Sequence, residues 1–161
     1  MLMSFLWRIR SIADYQFGEG AGKTLFPDGV RVFYSRRTGR IRHVFFKRRL
    51  IATLRPTDGF FSLTVEGGGH LMLVEPNRLW VEVQDDVTDF ISMGRTVFAK
   101  HVIRCDVEIR PGEEVAVVNS QRRVVAVGRA ILSGEEMLVF QRGVAVRIRR
   151  GVAESGSKSE S

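Results

Sequence analysis

The sequence predicts an α+β fold, in which a helix packed on a small antiparallel sheet is followed by a second unit of many short strands. Apolar residues recur at three- and four-residue spacing from Leu2 to Ala13, which is typical of an amphipathic helix. From Val30 onward, short runs rich in β-branched and aromatic residues alternate with turn sequences, which is typical of antiparallel hairpins.

The first unit is predicted to end near Val74. Its helix stops at Gly18, since glycine tolerates the left-handed backbone of a helix cap, and a glycine-rich loop over residues 18–22 follows. Turn sequences at Thr38-Gly39 and at residues 56–59 separate the strands. The four predicted strands are Val30–Tyr34, Ile41–Phe46, Leu50–Arg55 and Phe60–Val65.

The second unit follows a boundary at Glu75-Pro76-Asn77. A short helix is predicted over Val87–Met93, with Asp85 or Asp86 as its cap. The predicted strands are Leu79–Val83, Thr96–Ile103, Val107–Ile109, Val115–Asn119, Val124–Ile131 and Val144–Arg149. Short strands at this spacing indicate a small barrel or sandwich. The predicted domains are therefore 1–74 and 78–150, and residues 151–161 are expected to be a disordered tail.

Composition limits the classes of protein that the chain can belong to. It has 161 residues, enough for one ordinary domain or two small ones, and no apolar run near the roughly 20 residues that cross a bilayer. Arg8 and Arg10 interrupt the apolar start, which argues against a signal peptide. Cys105 is the single cysteine, so we expect no disulfide, no cysteine metal site and a cytoplasmic location.

The net charge of +7 is concentrated in the first half of the chain. Residues 1–74 hold 12 Lys and Arg against 5 Asp and Glu, whereas residues 75–150 hold 12 against 11. Such an excess favours a polyanionic partner, although a proteome that is generally rich in arginine would also produce it.

Two basic clusters of the first half surround strand ends. They consist of Arg36, Arg37, Arg40 and Arg42, and of Lys47, Arg48 and Arg49. Such cations can follow a phosphate backbone, or they can be a solvated edge that prevents strands from aggregating. One ring from each of the pairs Phe45-Phe46 and Phe60-Phe61 is expected to be exposed, where it could stack on an unpaired base. Core packing is the alternative.

The segment Gly18–Thr24 superficially resembles a P-loop. It has three residues, not four, between its first glycine and Gly22-Lys23-Thr24, and a helix precedes it where a P-loop has a strand. Nucleotide binding is therefore disfavoured. The segment is either a helix cap with a loop, or a loop whose amides and Lys23 contact an RNA phosphate.

The predicted helix end at Gly94 is a candidate phosphate-binding site. A glycine at a helix end lets another backbone approach closely, and Arg95 and Lys100 could reach phosphates there. Val97 and Phe98 must point to opposite faces, one of them to the core. An ordinary helix end followed by a strand is the alternative.

No catalytic or metal-binding group emerges from the sequence. His43, His70 and His101 lack ligand spacing, and no carboxylate pair lies beside a candidate nucleophile. We therefore predict no catalytic residue, no metal and no cofactor.

Residues Val87–Ile148 resemble a PUA domain, an RNA-binding module. The matching sequence segments are Met93-Gly94, Val97-Phe98-Ala99-Lys100, Arg110-Pro111-Gly112-Glu113-Glu114-Val115, Val127-Gly128-Arg129-Ala130 and Gly143-Val144-Ala145-Val146. The first half is similar to the domain that precedes PUA in the archaeal archaeosine tRNA-guanine transglycosylase. Its matching sequence segments are residues 12–18, 20–22 and 25–27, Ser35, Thr38-Gly39-Arg40-Ile41-Arg42 and Ala52-Thr53-Leu54-Arg55.

This resemblance implies a cystatin-like first domain and a PUA pseudo-barrel that together hold tRNA. It places the contact with the tRNA acceptor end at Gly94, Arg95, Phe98 and Lys100, and extends it to Arg129. The family's large catalytic barrel, its aspartate nucleophile and its zinc site have no counterpart here. The expected role is therefore a non-catalytic subunit or accessory of archaeosine-type tRNA modification, with tRNA and a catalytic transglycosylase or related modification enzyme as partners. A module that docks on a catalytic protein, with RNA contact secondary, is the alternative.

Overall fold

The computed structural model describes residues 2–157, and the side chains of residues 5–154. Helices α1 (Leu2–Phe17) and α2 (Ala21–Leu25) precede a four-stranded antiparallel sheet. Its strands follow one another across the sheet in chain order: β1 (Arg31–Tyr34), β2 (Ile41–Phe46), β3 (Arg49–Leu54) and β4 (Phe61–Leu63). The predicted first helix and the predicted hairpins are confirmed.

Helix α1 lies on the first sheet through one apolar stripe. Ile9, Ala13 and Phe17, spaced four residues apart, are completely buried. The helix ends where the sequence predicts, because Gly18 has a φ of +117° and its N–H donates to the carbonyl of Asp14.

The glycine-rich loop is shorter than predicted, because α2 begins at Ala21. Gly20 caps this helix with a φ of +84°. Gly22 lies inside it, and a Cβ on Gly22 would stand 2.3 Å from the carbonyl oxygen of Arg10. The backbones of α1 and α2 therefore touch at this residue, which explains its glycine through packing.

The second sheet is a nearly closed barrel of six strands in the order β6-β10-β9-β8-β5-β7. Its strands are β5 (Trp80–Val83), β6 (Val97–Phe98), β7 (Val102–Cys105), β8 (Glu114–Val118), β9 (Val124–Ala130) and β10 (Val144–Gly151). All pairings are antiparallel except that of β5 with β8. Buried valines such as Val81, Val117 and Val127 fill the barrel. The predicted α+β class with a β pseudo-barrel is confirmed.

Several elements of the second unit differ from the sequence prediction. A 3-10 turn at Ala99–His101 divides the strand expected over Thr96–Ile103, and the strand expected over Val107–Ile109 is replaced by a turn at residues 107–108. Neither Asp85 nor Asp86 caps helix α4 (Thr88–Ser92), whose N-cap residue is Val87. The carboxylate of Asp85 instead accepts hydrogen bonds from the N–H and the hydroxyl of Ser120. An unpredicted helix α5 (Gly134–Val139) begins with a capping box between Ser133 and Glu136.

The C-terminal segment also differs from the predicted disordered tail. Gly151 is the last residue of β10, and helix α6 spans Val152–Ser157. The remainder of that predicted tail, residues 158–161, lies outside the described residues.

A third helix of the first unit, α3 (Val65–Leu71), lies between the two sheets. Thr64 caps it by accepting from the N–H of Gly67. One hydrophobic core runs from α1 through α3 into the barrel, so the division into residues 1–74 and 78–150 stays a prediction. Within residues 2–157, no helix is both long enough and apolar enough to cross a bilayer.

Candidate nucleic-acid interface

The arginines of the first basic cluster lie at the turn between β1 and β2. A hydrogen bond of 2.7 Å from the N–H of Ser35 to the carbonyl of Arg40 closes this turn, and Gly39 has a φ of +71°. Arg36, Arg37 and Arg40 are exposed. Arg42 is half-buried, because its Nη1 donates to the carbonyl of Leu54 across the β2–β3 pair.

A cleft of about 560 Å³ runs between this turn and the turn that joins β3 to β4. Ile41, Leu54 and Pro56 form part of its lining. Four guanidinium groups also line it, and we call this surface the arginine groove: Arg37, Arg40, Arg42 and Arg55. Its composition suits a phosphate backbone, since guanidinium groups bind phosphate oxygens in a bidentate manner.

Asp58 in the β3–β4 turn senses the charge of arginines from both sheets. Burial alone would raise the pKa of this carboxyl. The N–H of Phe60, the guanidinium of Arg55 and then that of Arg129 act against burial and leave the pKa of Asp58 below its ordinary value. Arg129 therefore acts on the same carboxylate as Arg55, although it stands on β9 of the other sheet.

The positive charges continue across the barrel from Arg129. In the sheet register Arg129 pairs with Arg147 of β10, and both side chains are exposed. The preceding residue, Val146, pairs with Val97 at the start of β6, so Arg147 lies beside the segment that contains Arg95. We call the sequence of sites from the arginine groove through Arg129 and Arg147 to Arg95 the basic track.

Strand β6, near the end of the basic track, has one buried and one exposed residue, as the sequence predicts. Val97 is completely buried and Phe98 is 41% exposed. The ring of Phe98 meets His101 edge to face at 5.9 Å between centroids. Lys100 is exposed in the 3-10 turn, next to this aromatic pair.

Gly94 itself is approached by the chain's own C-terminal segment. It has a φ of +97°, and a Cβ there would stand 2.3 Å from Oε1 of Glu154. The same carboxylate accepts a hydrogen bond of 2.9 Å from the N–H of Gly151. The close approach that the sequence predicts at Gly94 is thus made by Glu154, whereas Arg95 beside it is exposed.

Lys23 lies in a different part of the molecule from the arginine groove. It is exposed on α2 and lines a hollow with Trp7, Arg10 and Asp14 of α1. The N–H of Gly22 is already bonded to Asp14 Oδ1 at 2.6 Å. This amide is therefore engaged within the chain, whereas the exposed Lys23 stays a predicted RNA contact.

Tyr15, which the sequence analysis did not single out, forms an aromatic pair with Phe60 beside the arginine groove. Tyr15 stacks on Phe60 with 5.9 Å between centroids and 8° between ring planes, and Tyr15 is 82% exposed. A cleft of about 340 Å³ adjoins the pair and is also lined by Arg55 and Arg110. The signal for Tyr15 was available, because it falls outside the apolar stripe of α1.

The described residues contain no group of three or more His, Cys, Asp and Glu that could hold a metal ion. Burial, followed by the charge of Asp106, raises the pKa of the Cys105 thiol to about 11. Its Sγ donates to the carbonyl of Gly134 at 3.3 Å. Such a thiol is a poor nucleophile at neutral pH.

Comparison with known proteins assigns both halves of the chain. Residues 7–76 match the patch-forming domain C2 of tRNA-guanine transglycosylase, and residues 80–152 match the PUA domain. The tRNA-guanine(15) transglycosylase of Thermoplasma volcanium is 46% identical over 152 residues, which are 93% of this chain and 24% of that protein. The chain spans between 22% and 25% of the length of such curated relatives.

Two solved structures share the fold. A hypothetical protein from Pyrococcus horikoshii has a TM-score of 0.75 at 19% identity, with 97% of this chain and 95% of that chain covered. A conserved PUA domain protein from Thermoplasma acidophilum has a TM-score of 0.59 at 23% identity, with 73% and 74% covered. With these matches, the chain is a PUA-domain protein whose two domains correspond to the C2 and PUA region of the archaeal tRNA-guanine transglycosylases.

Proposed function

We propose that the chain binds tRNA and acts as a non-catalytic subunit or accessory of archaeosine-type tRNA modification. The observation that carries this proposal is the basic track, in which the four arginines of the groove in the first domain are joined by the exposed Arg129, Arg147 and Arg95 of the barrel. The names of three relatives, each a tRNA-guanine(15) transglycosylase, support tRNA as the RNA.

The contacts divide into two kinds. Arg36, Arg37, Arg40 and Arg42 bind phosphates by charge, so they position the RNA without reading its sequence. At the other end of the basic track, the exposed ring of Phe98 stacks on an unpaired base of the acceptor end. Arg95 and Lys100 neutralise the phosphates next to that base.

In this proposal the chemistry belongs to another polypeptide segment. The described residues contain no group of three or more His, Cys, Asp and Glu side chains that could hold a metal ion. The relatives that are named transglycosylases are about four times as long as the region that matches this chain. A catalytic transglycosylase is therefore the proposed protein partner. No cofactor is needed for the binding role.

Filter binding of tRNA with and without its CCA end tests the proposal over a salt series. The pair Arg37→Gln and Arg40→Gln should reduce the slope of log K against log salt by about two, since each lost phosphate contact removes about one. Loss of the CCA end should weaken the wild type more than the Arg95→Gln, Lys100→Gln variant. Binding that is undetectable, or insensitive to salt, would overturn the proposal.

A second candidate function is docking on a catalytic protein, with RNA contact secondary. The observation that favours it is an exposed apolar run at the end of α5, where Val139 is 74% exposed and Leu138 and Phe140 are each more than 40% exposed. A pull-down with a transglycosylase chain separates the two functions. Docking predicts that Val139→Ser releases the partner, whereas Arg95→Ala with Lys100→Ala does not.

A further inference from the structure

The second basic cluster is built on an unusual turn. Phe46 pairs directly with Arg49, so Lys47 and Arg48 form a two-residue hairpin loop between β2 and β3. Their φ angles are +50° and +68°, the left-handed values that a type I′ turn requires at both positions. Such turns favour Asn-Gly, since long side chains are strained there. Two exposed cations occupy these positions instead.

The turn between β8 and β9 repeats this feature in the barrel. Arg122 has a φ of +61°, and its guanidinium lies over the ring of Trp80 at 4.6 Å from the centroid. Its Nη2 also donates to Asn77 Oδ1 at 2.8 Å. Arg123, next to it, is exposed. Three of the four non-glycine residues with positive φ among residues 2–157 are therefore Lys or Arg in two turns.

Helix α3 joins the two turns into one surface. A hollow of about 460 Å³ is lined by Glu66, His70 and Leu73 of this segment and by Arg122 and Arg123. The same two side chains of α3 also meet the β2–β3 segment, where Glu66 forms an ion pair with Arg49 and His70 packs edge to face on Phe46. We call this the α3 surface; its cations are Lys47, Arg48, Arg49, Arg122 and Arg123, and its acid is Glu66.

The α3 surface and the arginine groove lie at opposite ends of the first sheet. In an antiparallel meander, the β1–β2 and β3–β4 turns are at one end and the β2–β3 turn is at the other. Strands β2 and β3 each have six residues, so the two ends stand about 20 Å apart. The cations of the α3 surface are therefore spatially separate from those of the arginine groove.

We propose that the α3 surface binds the phosphate backbone of a second segment of the same RNA, so that the ligand is a folded RNA held at two places. This inference rests on the proposed tRNA-binding function. The strained turns support it, because their backbone would be relaxed with Asn or Gly but the cations would be lost. Backbone phosphates of a compact RNA supply the opposite charge at the required separation.

The double variant Lys47→Asn, Arg48→Gly tests the inference without a folding problem, because it installs the sequence that a type I′ turn favours. Fluorescence anisotropy would measure its affinity for a full-length tRNA transcript and for a short single strand ending in CCA. For the tRNA, we expect about a three- to tenfold loss and a salt slope reduced by about two. Binding of the short strand should be unchanged. Arg8→Gln, which removes one exposed cation from α1, is the control.

Three results would overturn the inference while leaving tRNA binding intact. They are an unchanged tRNA affinity and slope in the double variant, equal losses for tRNA and the short strand, or a loss per charge no larger than that of Arg8→Gln. Absence of wild-type binding to either RNA would instead refute the proposed function. Arg123→Gln adds an independent check from the barrel side and should also weaken tRNA selectively.

Discussion

At the scale of single residues, Asp58 is an acidic side chain that pairs with Arg55 of the arginine groove. Its Oδ1 accepts from the N–H of Phe60 at 2.9 Å, which shapes the β3–β4 turn, and its carboxylate pairs with Arg55 at 2.9 Å. Because its pKa is lowered, its charge persists until the pH falls below the ordinary carboxyl value of 3.8. At neutral pH it therefore engages Arg55 and reduces the positive potential of the arginine groove.

We predict that Asp58→Asn strengthens RNA binding about two- to fivefold at low salt, with less gain as salt screens the charges. An asparagine oxygen keeps the bond to Phe60, so stability should change by less than about 1 kcal/mol. Asp28→Asn is the matched control, since Asp28 pairs with Arg10 outside the arginine groove. Anisotropy titrations of both variants check the prediction. An equal gain in the control would attribute the effect to net charge alone.

At the scale of elements, helix α3 shows how packing selects structure against local preference. Its sequence, Val65-Glu66-Gly67-Gly68-Gly69-His70-Leu71, contains three glycines, each a poor helix former. A Cβ on Gly67 would stand 2.2 Å from the carbonyl of Ile51, and a Cβ on Gly68 would stand 2.7 Å from Cγ1 of Val127. Bare backbone at these positions lets the helix fit between the two sheets.

Gly68→Ala should therefore destabilise the protein by about 1–3 kcal/mol, because Val127 is completely buried and cannot move aside freely. Gly69→Ala is the matched control in the same helix, since no atom lies within 4 Å of its added Cβ. It should be neutral or stabilising by up to about 1 kcal/mol. Urea unfolding measures both variants. Equal effects at the two positions would contradict this account of the helix.

At the scale of the whole molecule, one buried carboxylate joins the two domains. Glu114 of β8 is 3% exposed and accepts from the N–H of Leu63 on β4 at 2.6 Å. Arg149 of β10 pairs with this carboxylate and donates to the carbonyl of Leu63 at 2.6 Å. The end of the first sheet is thereby bonded to two strands of the barrel, and this fixes the arginine groove relative to Arg129.

Glu114→Ala should lower the free energy of unfolding by about 3 kcal/mol, because it leaves the N–H of Leu63 and the guanidinium of Arg149 without their acceptor. Since Arg149 retains one-third of its side-chain exposure, water compensates part of the loss. Thermal and urea unfolding check the value, with Glu108→Ala, an exposed site, as the control. A change below 1 kcal/mol would mean that the shared hydrophobic core alone joins the domains.

Local patterns predicted much of this organisation. The stripe of α1, the cap at Gly18, the hairpin turns and the opposite faces of Val97 and Phe98 all follow from periodicity and turn chemistry. Helix α5 could also have been predicted, because the Ser133–Glu136 capping box is legible in the sequence. The break at Ala99–His101 could not, since this segment contains no glycine or proline to mark a turn.

Short-range patterns were enough to predict the α+β class, the concentration of charge in the first half and the residues that carry the family resemblance, because each of these can be recognised from residues close together in the chain. Long-range packing, by contrast, makes a helix of a segment with three glycines, places Glu154 over Gly94, and lets the charge of Arg129 add to that of Arg55 in lowering the pKa of Asp58. These results depend on atoms brought together from distant parts of the chain, whose contact energies outweigh local preference.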